Sequence, residues 1–266
     1  MILYFLVYNI NGDNMKALIT GASSGIGKDM ARYLSSLGYD LILVARRKQI
    51  LEELANELKT NVTIYDYDLA IEQNVYELYE ATKNDNIDFL INNAGFGLFG
   101  TFLKTDLDTE LKMIDLNVKT YHILTKLFLK DFVKRDSGYI LNVCSSAGFM
   151  AGPRLSTYYA TKNYITKLTM AINEELRQSG SNVHISALCP GPVATEFNKV
   201  AKGTFAIKEA SSEYVAKYGI DKTLKNKMII VPTLKMKLTL FFTRFTPYRL
   251  QLIIAYHIQK RKSTAE

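Results

Sequence analysis

Apolar residues in this chain come as short unbroken runs that alternate with stretches in which they recur every three or four positions. Lys16 to Thr20 is a run of the first kind, short enough for a strand buried on both faces. From 26 to 37 the spacing turns helical, and Gly38 ends it. The same reading predicts further strands at 40–45, 61–65, 87–91, 138–144, 183–189 and 227–231. It predicts further helices at 50–58, 71–82, 107–133, 157–178 and 213–224. Regular alternation of strand and helix predicts a parallel, doubly wound α/β sheet of about seven strands with helices on both faces. No internal repeat beyond the strand–helix unit and no low-complexity stretch interrupts it.

Composition sharpens this picture in a few places. The 266 residues, 48% hydrophobic and 22% charged, suit one ordered domain with a sizeable core. Cys144 and Cys189 each end an apolar run and read as small core residues of a reducing, cytoplasmic compartment. They form no disulfide framework. With His122, His184 and His257 scattered, no metal-ligand set emerges. Residues 1–14 are apolar at first but lack a basic leader and a cleavage site, and they read as an extension ahead of a catalytic domain over 15–232. The net charge of +7 is unevenly placed. Residues 222 to 264 hold ten Lys and Arg and no Asp or Glu, which leaves 23 basic and 26 acidic residues, or −3, elsewhere. The basic excess thus belongs to the C-terminal segment, and no basic-aromatic groove points to nucleic acid.

The first candidate chemistry follows the first strand. Thr20 to Gly27 reads T-G-A-S-S-G-I-G, between a strand and a helix. Glycines permit a tight turn and close backbone approach, and a helix N-terminus offers unpaired N–H groups to a pyrophosphate. This is the context of a dinucleotide-binding, Rossmann-like domain. After the second strand, where an acidic residue would accept the ribose 2′-hydroxyl of NAD, stand Ala45 and Arg46. A cation there suits a 2′-phosphate and favours NADP(H). The plain alternative is a run of solvated cations, Arg46-Arg47-Lys48, opening a helix, where they oppose the macrodipole.

The second is Tyr158 with Lys162, an i,i+4 pair on one helix face, and Ser145 thirteen residues before the tyrosine. A phenol with a pKa near ~10 exchanges protons poorly at neutral pH, and a nearby ammonium lowers that value. With a serine hydroxyl to hold a carbonyl or alcohol oxygen, the three make a proton-transfer site. The glycine loop, Arg46, Asp68, Asn93, Ser145 and Pro190 all fall at C-terminal strand ends, where doubly wound sheets bind ligands.

Together these motifs resemble the short-chain dehydrogenase/reductase superfamily over roughly 16–195. They comprise T-G-x-x-x-G-x-G at 20–27, N-N-A-G at 92–95, Asn117 in a helix, Ser145, Y-x-x-x-K at 158–162 and P-G-x-V-x-T at 190–195. The resemblance implies Tyr158 as general acid in reduction and general base in oxidation. It implies that Lys162 lowers the tyrosine pKa and holds the nicotinamide ribose, that Ser145 bonds the substrate oxygen, and that Asn117 holds a relay water. Gly21, Ser23, Ser24, Ile26 and Gly27 would line the phosphates, and Arg46 the 2′-phosphate. Asp68 and Leu69 would meet the adenine, and Asn93, Ala94 and Gly95 the adenosine ribose. Pro190, Gly191, Val193 and Thr195 would hold the nicotinamide. The resemblance also implies a homodimer or homotetramer. Ser146, Ser156 and Tyr159 read as structural.

Beyond Glu196 the resemblance thins. Residues 196–211 correspond to a variable substrate loop, in which Phe197 and Phe205 could line an apolar pocket. From 233 to 266 the chain reads as a basic, amphipathic, helical tail broken at Pro247, and a bacterial branch of the family has a similar ending. The leading expectation is an NADPH-dependent reductase of an apolar ketone or aldehyde. The alternatives are an alcohol dehydrogenase running the reverse reaction, and a non-catalytic NADP-binding or membrane-surface adaptor. Packing of the tail on protein is the expectation for its apolar face. If that face is exposed instead, it docks to a membrane or a partner.

Overall fold

In the computed structural model, which describes residues 15–197 and 209–260, the apolar runs become strands. They are β1 (Lys16–Thr20), β2 (Asp40–Val44), β3 (Val62–Tyr65), β4 (Phe89–Asn92), β5 (Tyr139–Val143), β6 (His184–Leu188), the short β7 (Val193–Ala194) and β8 (Ala210–Ser211), and β9 (Ile229–Ile230). Seven of them pair in the order β3-β2-β1-β4-β5-β6-β9, every pairing parallel. The chain runs outward from β1 to β3, then returns to lay β4 on the other side of β1. The sheet therefore splits beside β1, and a crevice opens at the C-terminal ends there. β7 and β8 form a separate two-stranded ladder that the apolar pattern does not predict.

The helices are α1 (Gly25–Ser36), α2 (Lys48–Glu57), α3 (Glu72–Thr82), α4 (Leu107–Ile114), α5 (Tyr121–Lys134), α6 (Ser156–Gln178), α7 (Ser212–Thr223), α8 (Leu234–Thr243) and α9 (Tyr248–Lys260). One face of the sheet is covered by α1, α2 and α7, through Met30, Leu34, Leu51, Val215 and Ile220 against Ile19, Leu41 and Leu188. The other is covered by α3, α5 and α6, through Leu78, Leu124, Phe128 and Leu176 against Leu18, Ile42 and Ile140. β1, with Ala17, Leu18 and Ile19 all fully buried, lies between the two layers.

Two features depart from the expected elements. The helix expected over 107–133 is divided by a π-helical turn, Asp115–Thr120, and Asn117 sits in it. A buried polar chain also crosses the sheet. Asn92 Nδ2 donates to Asn142 Oδ1 (2.9 Å) and to Thr125 Oγ1 (3.1 Å), and Asn142 Nδ2 donates to Thr169 Oγ1 (2.9 Å). These bonds tie β4 and β5 to α5 and α6 and fix the register of the strands that deliver the site. The expected extension 1–14, most of the expected substrate loop with Phe205, and residues 261–266 lie outside the described residues.

Candidate active site

A cleft of ≈ 520 Å³ runs along the C-terminal edge of the sheet, from the glycine loop to the C-terminal helices. At one end β1 turns into α1 through Gly21, whose φ of +67° and lack of Cβ let Ala94 approach; a Cβ there would lie 2.7 Å from Ala94 Cα. Gly27 lies beneath the loop, where a Cβ would come within 2.4 Å of both Gly21 O and Asn93 Nδ2. Ser24, at the N-cap of α1, makes no capping hydrogen bond with its side chain, and the first turn holds no acidic residue. A helix N-terminus left open toward a cleft fits a pyrophosphate.

Most of the expected cofactor residues line this cleft: Gly21, Ser23, Ser24 and Ile26, then Arg46, Asp68, Leu69, Asn93, Ala94 and Gly95. Pro190, Gly191, Val193 and Thr195 line its further half. Asn93 is used differently from the expectation. Its Nδ2 donates to Thr20 O (3.0 Å) and Gly21 O (3.1 Å), so its side-chain amide clamps the glycine loop. Arg46 carries a side chain 73% exposed and makes only a long 3.9 Å ion pair with Asp68. Arg47 is the arginine held at the loop. It reaches Ser23 Oγ (3.1 Å) and Glu196 Oε2 (3.1 Å), and it lines the cleft beside Arg46.

Ser145 lies two residues past the end of β5, where its hydroxyl accepts from Ala147 N (3.1 Å) and caps a 3₁₀ turn, Ser146–Phe149. That turn lies against α6 at Gly148, where a Cβ would stand 2.8 Å from Lys162 O. Asn163 Nδ2 binds it again through Ala147 O and Met150 O. α6 then presents Tyr158 and Lys162. Tyr158 packs at a tilt near Phe197 (ring centroids 5.4 Å) over Gly97, and it lines the cleft together with Ser145. Lys162, only 5% exposed, donates to Val143 O (2.9 Å), and its Nζ lies 5.9 Å from the centre of the Tyr158 ring.

The electrostatics of this pair reverse the expectation that the lysine pulls the phenol down. Burial raises the Tyr158 pKa well above its ordinary value, and the Ser145 hydrogen bond offsets this only in part. Burial likewise lowers Lys162 to about 8. Desolvation is the largest cause of both shifts, because neither the ammonium nor a phenolate is well solvated here.

Asn117 is fully buried behind the cleft. Its Nδ2 donates to Phe96 O (2.9 Å) and Thr161 Oγ1 (3.2 Å), and its Oδ1 accepts from Phe96 N (3.1 Å). The side chain therefore positions the 93–96 loop against α6, and a relay water would have to meet the main chain of the π turn.

The substrate end of the cleft holds residues the motifs do not mark. Met236 and Thr239 of α8 and Ala255, Ile258 and Gln259 of α9 line it, with Met150, Leu155 and Tyr159 opposite. Gln259 Nε2 donates to Tyr159 Oη (2.7 Å), and the Cε of Met236 reaches into the space a Cβ on Gly191 would take (2.6 Å). Tyr159, expected to be structural, is thus part of the cleft wall. Among the described residues no group of His, Cys, Asp and Glu could hold a metal ion, and both cysteines are buried free thiols.

The comparisons agree with this geometry. A family model described as short chain dehydrogenase matches residues 15–204. An uncharacterized oxidoreductase of Staphylococcus epidermidis is 34% identical over 182 residues, 67% of this chain and 78% of that protein. The human very-long-chain 3-oxoacyl-CoA reductase is 32% identical over 196 residues, 71% of this chain and 62% of its own length. Among solved structures, a short-chain dehydrogenase from Sphingobium yanoikuyae in complex with NADPH superposes with a TM-score of 0.77 at 29% identity, covering 83% of this chain and 88% of that one. The chain belongs to the short-chain dehydrogenase family, oxidoreductases that use a nicotinamide cofactor on CH–OH and C=O groups.

Proposed function

We propose that this protein is an NADPH-dependent reductase of an apolar ketone or aldehyde. The observation that carries the reading is a half-buried Tyr158 beside Ser145 and the buried Lys162, in a cleft whose other end is an open helix N-terminus. When bound, the dinucleotide supplies a hydride to the carbonyl carbon. Ser145 Oγ and Tyr158 Oη hold the carbonyl oxygen, and Tyr158 delivers its proton there as the alkoxide develops. A phenol whose pKa is raised by burial enters the reaction protonated, as the donor that a carbonyl reduction needs. Lys162, charged below about pH 8, balances the phenolate left behind and holds the nicotinamide ribose. Asn117 keeps the 93–96 loop in place against α6.

Preference for NADPH rests on Arg46 and Arg47, two cations where an acidic residue would select NAD. Phe197, Leu155, Met236 and Ile258 around the substrate end support an apolar substrate. A homodimer or homotetramer would use the exposed Leu107, Leu111 and Ile114 of α4 with Tyr164 of α6.

The test is a panel of aliphatic and cyclic carbonyls followed by NADPH absorbance, with Tyr158→Phe as the blank. The variant should lose at least about a hundredfold in kcat while its NADPH Kd stays within about threefold, since it removes the proton and little packing. Retention of more than about a tenth of the wild-type rate would overturn the assignment.

A further inference from the structure

We propose that the α8–α9 hairpin is a docking surface for an anionic lipid bilayer, and that the cleft it roofs takes its substrate as a lipophilic carbonyl from that bilayer. The second half rests on the reductase reading above; the first does not.

The hairpin turns a narrow stripe inward. Met236 and Leu240 on α8, and Gln251, Ala255 and Gln259 on α9, recur every four residues and are the less exposed positions of their helices. Gln251 Nε2 donates to Thr243 O (2.8 Å) and Thr246 O (2.6 Å), which locks the two helices together. A surface helix ordinarily turns polar residues outward. Here the outer positions are Leu234 (71% exposed), Leu238 (50%), Phe241 (51%), Phe242 (62%), Phe245 (71%) and Ile253 (48%). A contiguous apolar patch of this kind marks a surface that meets something other than water.

Charge decides what it meets. Lys235, Lys237, Arg244, Arg249 and Lys260 are all exposed among these apolar groups. None makes an ion pair among the described residues. From 222 to 264 there is no carboxylate to answer them. A two-fold contact with a second copy would set this cationic face against itself, whereas an anionic headgroup layer complements it. Long basic stems can keep their charges at the headgroups while phenylalanine rings enter the acyl boundary. No helix among the described residues is long and apolar enough to cross a bilayer, so the hairpin lies in the interfacial plane.

The same two helices join this face to the cleft. Met236, Thr239, Ala255, Ile258 and Gln259 line the cleft from within, and Ile258 is also 37% exposed at its rim. The mouth of the cleft therefore adjoins the surface assigned to lipid.

Full-length protein should co-sediment with phosphatidylglycerol-rich vesicles at low ionic strength, bind neutral phosphatidylcholine vesicles at least about tenfold more weakly, and be released by high salt. Lys235→Glu with Lys237→Glu should lower partitioning about tenfold or more. Phe241→Ser with Phe245→Ser should do the same without changing the oligomeric state. With a long-chain 2-alkanone carried in vesicles, the charge-reversed protein should lose turnover in proportion to binding and keep its rate on a short, water-soluble ketone. Equal binding to neutral and anionic vesicles overturns the proposal. So does no vesicle binding together with a concentration-dependent dimer that Phe241→Ser dissociates, because a second copy then covers the face. Vesicle binding without turnover of any carbonyl would uphold the docking surface and refute the reductase reading instead.

Discussion

At the scale of residues, cofactor selection turns on two neighbours that the sequence alone does not separate. Arg46 is the residue that stands where an acidic group would select NAD, yet its side chain reaches mostly into solvent, and Arg47 is the one bound to Ser23 of the glycine loop. β2 closes at Val44, so both arginines lie beyond the strand and flank the same part of the cleft. Under the NADPH reading, a 2′-phosphate would meet both cations. Arg47→Ala should weaken NADPH binding by about tenfold or more while leaving NADH nearly unchanged, as expected for a lost charge-assisted hydrogen bond. Isothermal titration with both cofactors checks this. An equal loss for NADPH and NADH would mean that Arg47 only shapes the loop.

At the scale of elements, the parts with strong local signals were readable and the parts made by long-range packing were not. The main strand and helix positions followed from apolar period, since β1, β2, β4, β5 and β6 are buried on both faces and most helices on one. That Ser145, Tyr158 and Lys162 meet in one cleft was legible because Ser145 follows the β5 run and the other two share a helix face. The π turn at 115–120 was hidden, because Asp-Leu-Asn-Val-Lys-Thr carries a normal helical pattern and only the Asn117 contacts with the 93–96 loop reveal the extra residue in the turn. The roof over the substrate end was hidden too, apart from one trace. Gln251, Ala255 and Gln259, two amides and a small residue at four-residue spacing, interrupt an otherwise apolar and basic helix on its inward side. Deleting everything after Pro232 should leave NADPH affinity within about threefold, because the cofactor end is built before that point. KM for a bulky carbonyl should rise about tenfold, as five lining residues are lost. A matching loss of NADPH affinity would show that the hairpin supports the whole cleft.

At the scale of the molecule, the buried ammonium of Lys162 links the active site to global stability. Its folded pKa of about 8 lies below the ordinary 10.5. Between those values the unfolded chain binds more protons than the folded one, so stability rises with pH across that window. Above pH ~10 the raised pKa of Tyr158 and Tyr121 works the other way and closes the gain, because buried phenols resist ionisation that the unfolded chain allows. Lys162→Met should therefore stabilise the cofactor-free protein at neutral pH. The charge penalty is worth up to about 3 kcal/mol, and loss of the Lys162–Val143 hydrogen bond takes back about 1 kcal/mol of it, the Val143 carbonyl keeping the Tyr121 hydroxyl as donor (3.3 Å). Urea unfolding near pH ~7 and ~9.5 would read this as a gap between variant and wild type that narrows at the higher pH. A variant less stable at both values would show that the Lys162–Val143 bond outweighs the buried charge.

The hairpin roof also bears on how such a protein can change over generations. Its lining residues sit in 236–259, after the last strand of the sheet, and touch the cleft from one side only. Substitutions there leave the buried strands, the glycine loop and the proton-transfer residues as they are. Selectivity for a new carbonyl can drift by single exposed or rim positions without crossing a sequence that fails to fold or fails to bind its dinucleotide. Under the reductase reading, one wall of the substrate end can thus vary while the proton-transfer and dinucleotide residues stay fixed.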